Sequence, residues 1–201
     1  MAQSFSAFQY DDLDKLNIQL EKMRFPFEGL VALEPSDWLV MTLERNMNLP
    51  LASEKAKCEF IISPILTEMV ERNNRSFTYF SGYNFNVEKD LGLKGRCDFL
   101  LTKAPKSPRI ESPVLAVVEA KNDNLDEGIP QCIAQMYALR LFNERKGKPT
   151  PTVYGAVTFG LEWQFLKLAQ QTAYLDTNIF YIKELPQMLG ALQWVIDFYE
   201  I

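Results

Sequence analysis

Residues 95–121 decide how this sequence is interpreted: Gly-Arg-Cys-Asp-Phe-Leu-Leu from Gly95, a polar loop, then Pro-Val-Leu-Ala-Val-Val-Glu-Ala-Lys ending at Lys121. The two apolar runs predict two short strands. The second strand ends in charge at Glu119 and Lys121, and Asp98 lies on the first. Two carboxylates and an amine are costly to bury unless something compensates them. We therefore expect either a bound divalent cation or an ordinary Glu–Lys pair exposed to solvent.

The residue types that are missing limit the chemistry. The 201 residues include no histidine, which excludes Ser-His-Asp and Cys-His catalysis and HExxH zinc sites. Three widely spaced cysteines without a CxxC pair predict neither disulfides nor structural zinc. Chemistry must then depend on carboxylates, lysine or tyrosine, and carboxylate oxygens favour Mg²⁺ or Mn²⁺.

Hydropathy and charge restrict the partners. No apolar run approaches the roughly 18–20 residues of a membrane span. The N-terminus lacks the pattern of a signal peptide, so we expect a cytoplasmic protein. The net charge of −5 argues against coating nucleic acid by bulk electrostatics. Basic residues are nevertheless concentrated at 94–121 and at 140–148, which fits either polyanion binding or solvated loop charges. In a nucleic-acid enzyme the loop 103–109 and the cluster 140–148 would meet phosphates.

The first 50 residues predict an N-terminal helical extension. Apolar residues at helical spacing predict a helix over 11–24, and Ser36 is a suitable N-cap for a second helix ending near Asn46. Such an extension would pack on the following domain or mediate association, and we therefore consider a homodimer.

Residues 51–201 predict one α/β domain with a mixed central β-sheet flanked by helices. Helices are expected at 53–72, capped by Ser53, and at 125–145 and 185–199. Strands are expected between 77 and 87 with an interruption at Ser81-Gly82, and at 96–102, 114–120, 152–159, 163–168 and 179–182.

The charged strand end predicts a metal site. Because side chains alternate along a strand, Glu119 and Lys121 share one face and Ala120 points away. Asp98 on the neighbouring strand can reach that face. The two carboxylates and the carbonyl of Ala120 would supply about half of an octahedral Mg²⁺ shell. Lys121 would position the attacking water.

The pattern Gly95-x-x-Asp98, then Glu119-Ala120-Lys121, then Gln131 on the next helix resembles the PD-(D/E)XK nuclease-like superfamily over roughly residues 53–168. The resemblance implies a restriction-endonuclease-like core and Mg²⁺-dependent cleavage of DNA, more than of RNA. It also implies a further acid on the first core helix.

Glu59 is our first choice for this helical acid, with Glu54 and Glu68 as alternatives. Gln131 matches a glutamine of exonuclease-like members. The tyrosine that those members carry four residues later is Gln135 here.

We therefore expect a DNA nuclease in which Asp98, Glu119, Ala120 and Glu59 bind the metal, with Lys121 and Gln131 beside it. The alternative is a catalytically inactive binding or assembly module that keeps the fold. Other candidates carry less chemistry. Phe159, Trp163 and Phe165 fit the sheet core better than base stacking, and Cys97 and Cys132 fit small buried residues beside the site.

Overall fold

A mixed eight-stranded β-sheet with helices on both faces forms the centre of the protein, which we describe from a computed structural model covering residues 3–103 and 107–199. The strand order is β1-β7-β6-β5-β4-β3-β2, and β8 pairs with β6. The pairs β1–β7 and β4–β5 are parallel, and the others are antiparallel. The predicted α/β class with a mixed central sheet is confirmed.

The strands are β1 (Gln19–Met23), β2 (Thr78–Asn84), β3 (Arg96–Thr102), β4 (Val114–Ala120), β5 (Thr152–Thr158), β6 (Glu162–Ala169), β7 (Thr172–Asp176) and β8 (Phe180–Tyr181). The helices are α1 (Asp37–Asn46), α2 (Glu54–Lys57), α3 (Ser63–Arg72), α4 (Ile129–Arg145) and α5 (Leu185–Asp197). A π-helical segment, Cys58–Ile62, joins α2 to α3.

The predicted helix over 11–24 is wrong. Two short 3-10 turns at Tyr10–Asp12 and Asp14–Leu16 are followed by Asn17 at φ +53°, which ends helical geometry. The chain then becomes the edge strand β1, paired with β7. The apolar spacing was misleading because Leu13 and Leu16 are buried, whereas Met23, further along the supposed stripe, is 37% exposed.

Most other predicted elements are confirmed, with three differences. β2 runs through Ser81-Gly82 without the expected interruption. The helix expected over 53–72 contains the π-helical segment. The five-residue strand β7 was not predicted, and it follows a tight turn in which Gln170 has φ +51°. Ser36 and Ser53 act as N-caps, accepting from the N–H groups of Leu39 and Ala56.

The core lies on both faces of the sheet. One apolar cluster lies between the sheet and α3 with α5, and the other lies between the sheet and α4. β4 is buried along its whole length because helices cover both of its faces. Anything polar on β4 is therefore enclosed by protein.

Residues before position 50 pack against the rest of the chain. The backbone N–H of Leu33 donates to Pro186 O at 2.9 Å, and Trp194 Nε1 donates to Glu28 O at 3.1 Å. Phe25 and Phe27 belong to the core cluster beneath α5. The domain boundary at residue 50 stays a prediction. Of the two roles considered for the first 50 residues, these contacts fit packing on the following domain. Within the described residues, no helix is both long and apolar enough to cross a membrane.

Replacing Gly190 with alanine tests this packing. Ala normally stabilises a helix interior relative to Gly by about 1 kcal/mol. At Gly190 of α5, however, a Cβ would collide with the backbone carbonyl of Val31. We expect Gly190→Ala to lower the free energy of unfolding by about 1–3 kcal/mol, as overpacking does, in urea titrations. A more stable variant would show that residues 30–33 do not cross α5 this closely.

Candidate active site

Glu119 is a buried carboxylate near the end of β4. Glu119 is 1% exposed, so the expectation of a Glu–Lys pair exposed to solvent is wrong. Oε1 accepts from Lys121 Nζ at 2.6 Å and Oε2 accepts from Gln135 Nε2 at 2.7 Å. Burial, with the nearby charge of Asp98, raises the pKa of Glu119 to about 8 against the attraction of Lys121. At neutral pH this carboxyl therefore tends to hold a proton when no cation is present.

Asp98 lies where β3 and β4 separate. The ladder between them ends at the pair Phe99–Val118, and Asp98 Oδ2 accepts from the backbone N–H of Ala120 at 2.9 Å. The side chain of Glu119 is close enough to hydrogen-bond with Asp98 and to affect its pKa. Burial raises the pKa of Asp98, although the Ala120 N–H and Lys121 oppose this. The two predicted acids are therefore neighbours, not on opposite faces of the sheet.

Lys121 connects β4 to α4. Its amine donates to Glu119 Oε1 and, at 2.9 Å, to Gln131 Oε1 in the first turn of α4. The backbone N–H of Lys121 donates to Thr158 O of β5, which fixes the strand end. Partial burial would lower the pKa of Lys121, but the charge and hydrogen bond of Glu119 outweigh it and the net pKa is raised. The amine therefore stays protonated beside the carboxylates.

Gln135 is a member of the site that sequence reasoning missed. In the sequence it stands in place of the tyrosine of exonuclease-like members. The side chain is fully buried, and Nε2 donates to Glu119 while Oε1 has no partner among the described residues. Helical spacing was the available signal, since positions 131 and 135 lie one turn apart on the same face of α4.

The acid on the first core helix that approaches this group is Glu54. Burial and then the charge of Asp98 raise the pKa of Glu54, while Lys121 lowers it. Glu59, the residue chosen from sequence, is 55% exposed at its side chain and pairs with Lys55 at 3.4 Å. Glu68, the other alternative, is buried elsewhere, accepting from Ser36 and Arg72. Glu59 lies on the π-helical segment and also lines a cleft beside Asp98, but its side chain is more exposed there.

Lys57 holds the loop that follows Lys121. The amine of this nearly buried side chain donates to the backbone oxygen of Asn122 and, at 3.2 Å, to Asp123 Oδ1. Helix α2 is thereby attached to the segment between β4 and α4. This attachment keeps Glu54 beside Asp98 and Lys121.

The donor chemistry fits a hard cation only in part. Three acids (Glu54, Asp98 and Glu119) surround one amine, so oxygen ligands predominate and negative charge is in excess. Nevertheless, no three acidic, cysteine or histidine side chains within 3–103 and 107–199 are grouped closely enough to hold a metal ion. Both oxygens of Glu119 are also occupied by Lys121 and Gln135. An ion would have to displace one of these two partners.

The cysteines do not complete a metal site as thiolates. Cys97 and Cys132 are fully buried, and burial together with Glu119 raises the pKa of both thiols. The half-buried Cys58 lies near Asp98, and burial followed by that charge raises its pKa to about 12. These thiols remain protonated. Trp163 and Phe165 are core residues of the sheet, as expected.

The predicted phosphate-binding basic residues lie far from the acids. β3 and β4 join through the loop 103–113, which leaves the sheet at the end opposite Glu119, about 20 Å away at roughly 3.3 Å per residue. Arg145 is about 20 Å along α4 from Gln131 and pairs with Glu88. Arg140 and Lys148 bind backbone oxygens of Gln170 and Ser112. Lys106 of the predicted cluster lies outside the described residues.

No protein-family model matches the chain, and no curated protein matches it significantly. The resemblance to the PD-(D/E)XK superfamily therefore stays a prediction carried by the residues of this site. The same holds for the metal-binding and catalytic roles of those residues.

The buried carboxyl of Glu119 predicts a pH-dependent stability. Its pKa is raised in the folded state, so the folded protein holds a proton that the unfolded chain releases above about pH 4.5. The stabilising contribution is complete below that pH and is lost as pH rises towards 8. In EDTA, the free energy of unfolding of the wild type should fall relative to Glu119→Gln between pH 4.5 and 8. Parallel pH profiles from urea titrations would contradict this.

Proposed function

We propose that this chain is a metal-dependent nuclease of the PD-(D/E)XK kind, with a restriction-endonuclease-like core, that hydrolyses phosphodiester bonds in DNA. The observation that supports it most directly is that the partly buried Asp98 lies beside the buried carboxyl of Glu119, which accepts a hydrogen bond from the amine of Lys121. This triad combines two oxygen-donor acids with a fixed, protonated amine in one recess.

Asp98, Glu119 and the carbonyl of Ala120 would hold Mg²⁺ or Mn²⁺, with Glu54 as a further acid in place of Glu59. Such an ion stabilises the negative charge that develops on a phosphoryl group during hydrolysis. Lys121 would position the attacking water, and its contact with Gln131 keeps the amine directed to that place. Gln135 would orient Glu119 through its hydrogen bond from α4.

The catalytic group is recessed, which favours an extended or single strand as substrate. Glu119 is almost fully buried and the side chain of Lys121 is only 15% exposed. A cleft of about 710 Å³ leads to Lys121 and Gln131 between the N-terminal segment at Tyr10 and the first turn of α4. A strand can enter this cleft more readily than a duplex.

One observation favours the alternative of an inactive binding or assembly module. Lys121 and Gln135 already compensate Glu119, so the buried acid does not need an ion to be stable in the fold. In that case the triad would be a structural remnant. Activity measurements distinguish the two functions.

Cleavage should depend on the triad. Plasmid and single-stranded DNA are incubated with wild type, Asp98→Asn, Glu119→Gln and Lys121→Met in Mg²⁺ or Mn²⁺. We expect each variant to lose about 100-fold or more in rate, because each removes a metal ligand or the amine that positions the water. Lys22→Met, on the exposed edge strand β1, is the matched control and should cleave like the wild type. Equal rates for wild type and Lys121→Met would exclude this mechanism.

Substitutions of Glu54 and Glu59 should have different effects on the cleavage rate. We expect Glu54→Gln to lower the cleavage rate by about tenfold or more, because Glu54 interacts with both Asp98 and Lys121. Glu59→Gln should change it by less than about twofold, since that side chain is exposed and contacts only Lys55 among ionic partners. The reverse order would return the role to Glu59.

A further inference from the structure

A second cleft lies beside Glu54 and Asp98. It has a volume of about 290 Å³ and runs between α2 and the edge formed by β2 and β3. Its charged lining residues are Glu54, Glu59, Asp98, Lys55 and Arg96, and Gly82 lies beside Arg96. Any group bound here would lie beside the carboxyl of Asp98.

Arg96 is the notable side chain of this cleft. It is exposed, and its guanidinium makes no hydrogen bond or ion pair within the part of the chain that the structure describes. By contrast, Arg72, Arg75 and Arg145 form ion pairs with Glu68, Glu71 and Glu88. The charge of Arg96 reaches Asp98 without a direct contact.

Gly82 makes room for this guanidinium. It lies between Ser81 and Tyr83, whose partners on β3 are Phe99 and Cys97, so it faces Asp98 across the ladder. A Cβ on Gly82 would collide with the guanidinium of Arg96. The residue also has φ +63°, a conformation that favours glycine. The guanidinium of Arg96 therefore lies against the backbone of β2 near Asp98, and no side chain among the described residues hydrogen-bonds to it.

We propose that Arg96, lying over Gly82, is the anchor for a phosphate of the substrate strand, next to the phosphate that is cleaved. A guanidinium binds phosphate oxygens through two parallel N–H donors, which a carboxylate-only cleft cannot do. The lining acids Glu54, Asp98 and Glu59 would repel a phosphate. The other lining cation, Lys55, is paired with Glu59, so Arg96 is the cation of this cleft that can hold the strand. The proposal rests on the proposed function, because it names the contact by which the same site would hold its DNA.

The competing explanation is that Arg96 only offsets the charge of Asp98. The two explanations predict different effects of Arg96 on DNA binding. An anchor contributes to affinity for DNA and to its salt dependence, whereas a neutralising residue affects the acids alone. Binding must therefore be measured separately from cleavage.

The test uses a short fluorescent single-stranded DNA in Ca²⁺, read by anisotropy across a salt series. We expect Arg96→Gln to weaken binding by about tenfold and to reduce the slope of log K against log salt by about 0.7, the value for one lost contact to a single strand. Arg96→Lys should recover the slope but only part of the affinity, because it keeps the charge and loses the two-pronged geometry. Arg24→Gln, exposed directly after β1 at the opposite edge of the sheet, is the matched control and should bind like the wild type.

Competition distinguishes the source of the phosphate. Unlabelled DNA should displace the probe at its own affinity, whereas inorganic phosphate at the same phosphate concentration should not. Displacement by both with equal effect would overturn the assignment of a strand anchor. The thermal unfolding of Arg96→Gln and Arg96→Lys is also measured. If Arg96→Gln is defective in folding, the binding of Arg96→Lys tests the anchor instead.

The two proposals fail separately. If the wild type binds DNA and Arg96→Gln weakens binding but nothing cleaves in Mg²⁺ or Mn²⁺, the nuclease proposal fails and the anchor stands. If Arg96→Gln binds with the affinity and salt slope of the wild type, or if the wild type does not bind, the anchor is wrong. A loss of cleavage with unchanged binding would also overturn it.

Discussion

The hydrogen bond from Lys121 Nζ to Glu119 Oε1 is the interaction on which the candidate site depends. β4 is enclosed on both faces, so a carboxylate near its end would lie in a low-dielectric interior without compensation. Lys121 supplies the charge, Gln135 supplies a second donor, and protonation is the remaining route, as the raised pKa of Glu119 indicates. A buried apolar strand can carry a carboxyl group at its end only because these groups compensate it there.

Helix α4 places the other half of the site. Gln131 and Gln135 are one turn apart, and the first holds Lys121 while the second holds Glu119. The helix packs on β4 and β5, so the distance between the strand end and the two amides is set by the core. Helix α2 contributes in the same way from the other side, since Lys57 attaches it to the loop after Lys121 and Glu54 then lies beside Asp98.

Local patterns predicted well wherever they were strong. The apolar run of β4, the capping serines of α1 and α2 and the glycine–proline end of α4 are features of neighbouring residues, and they marked those elements correctly. The helix expected over 11–24 failed because its spacing satisfied a helix while the tertiary structure used the segment as an edge strand. Glu59 was preferred for a similar reason: sequence shows which residues share a helix but not which face of it points to the sheet.

The sequence by itself determined the α/β class, the strand pair that carries Asp98 and Glu119, and the absence of histidine chemistry, because these depend on composition and on residues close together in the chain. Only the tertiary structure decided which partners those acids have. Gln135, Glu54 and Arg96 reach the site from three different elements, and Gly82 matters because of a side chain on the neighbouring strand. It also separated the basic residues 103–109 and 140–148 from the acids, since strand direction sends that loop to the far end of the sheet. Sequence distance carries no information about such placements, because they follow from how the strands pair and how the helices pack on them.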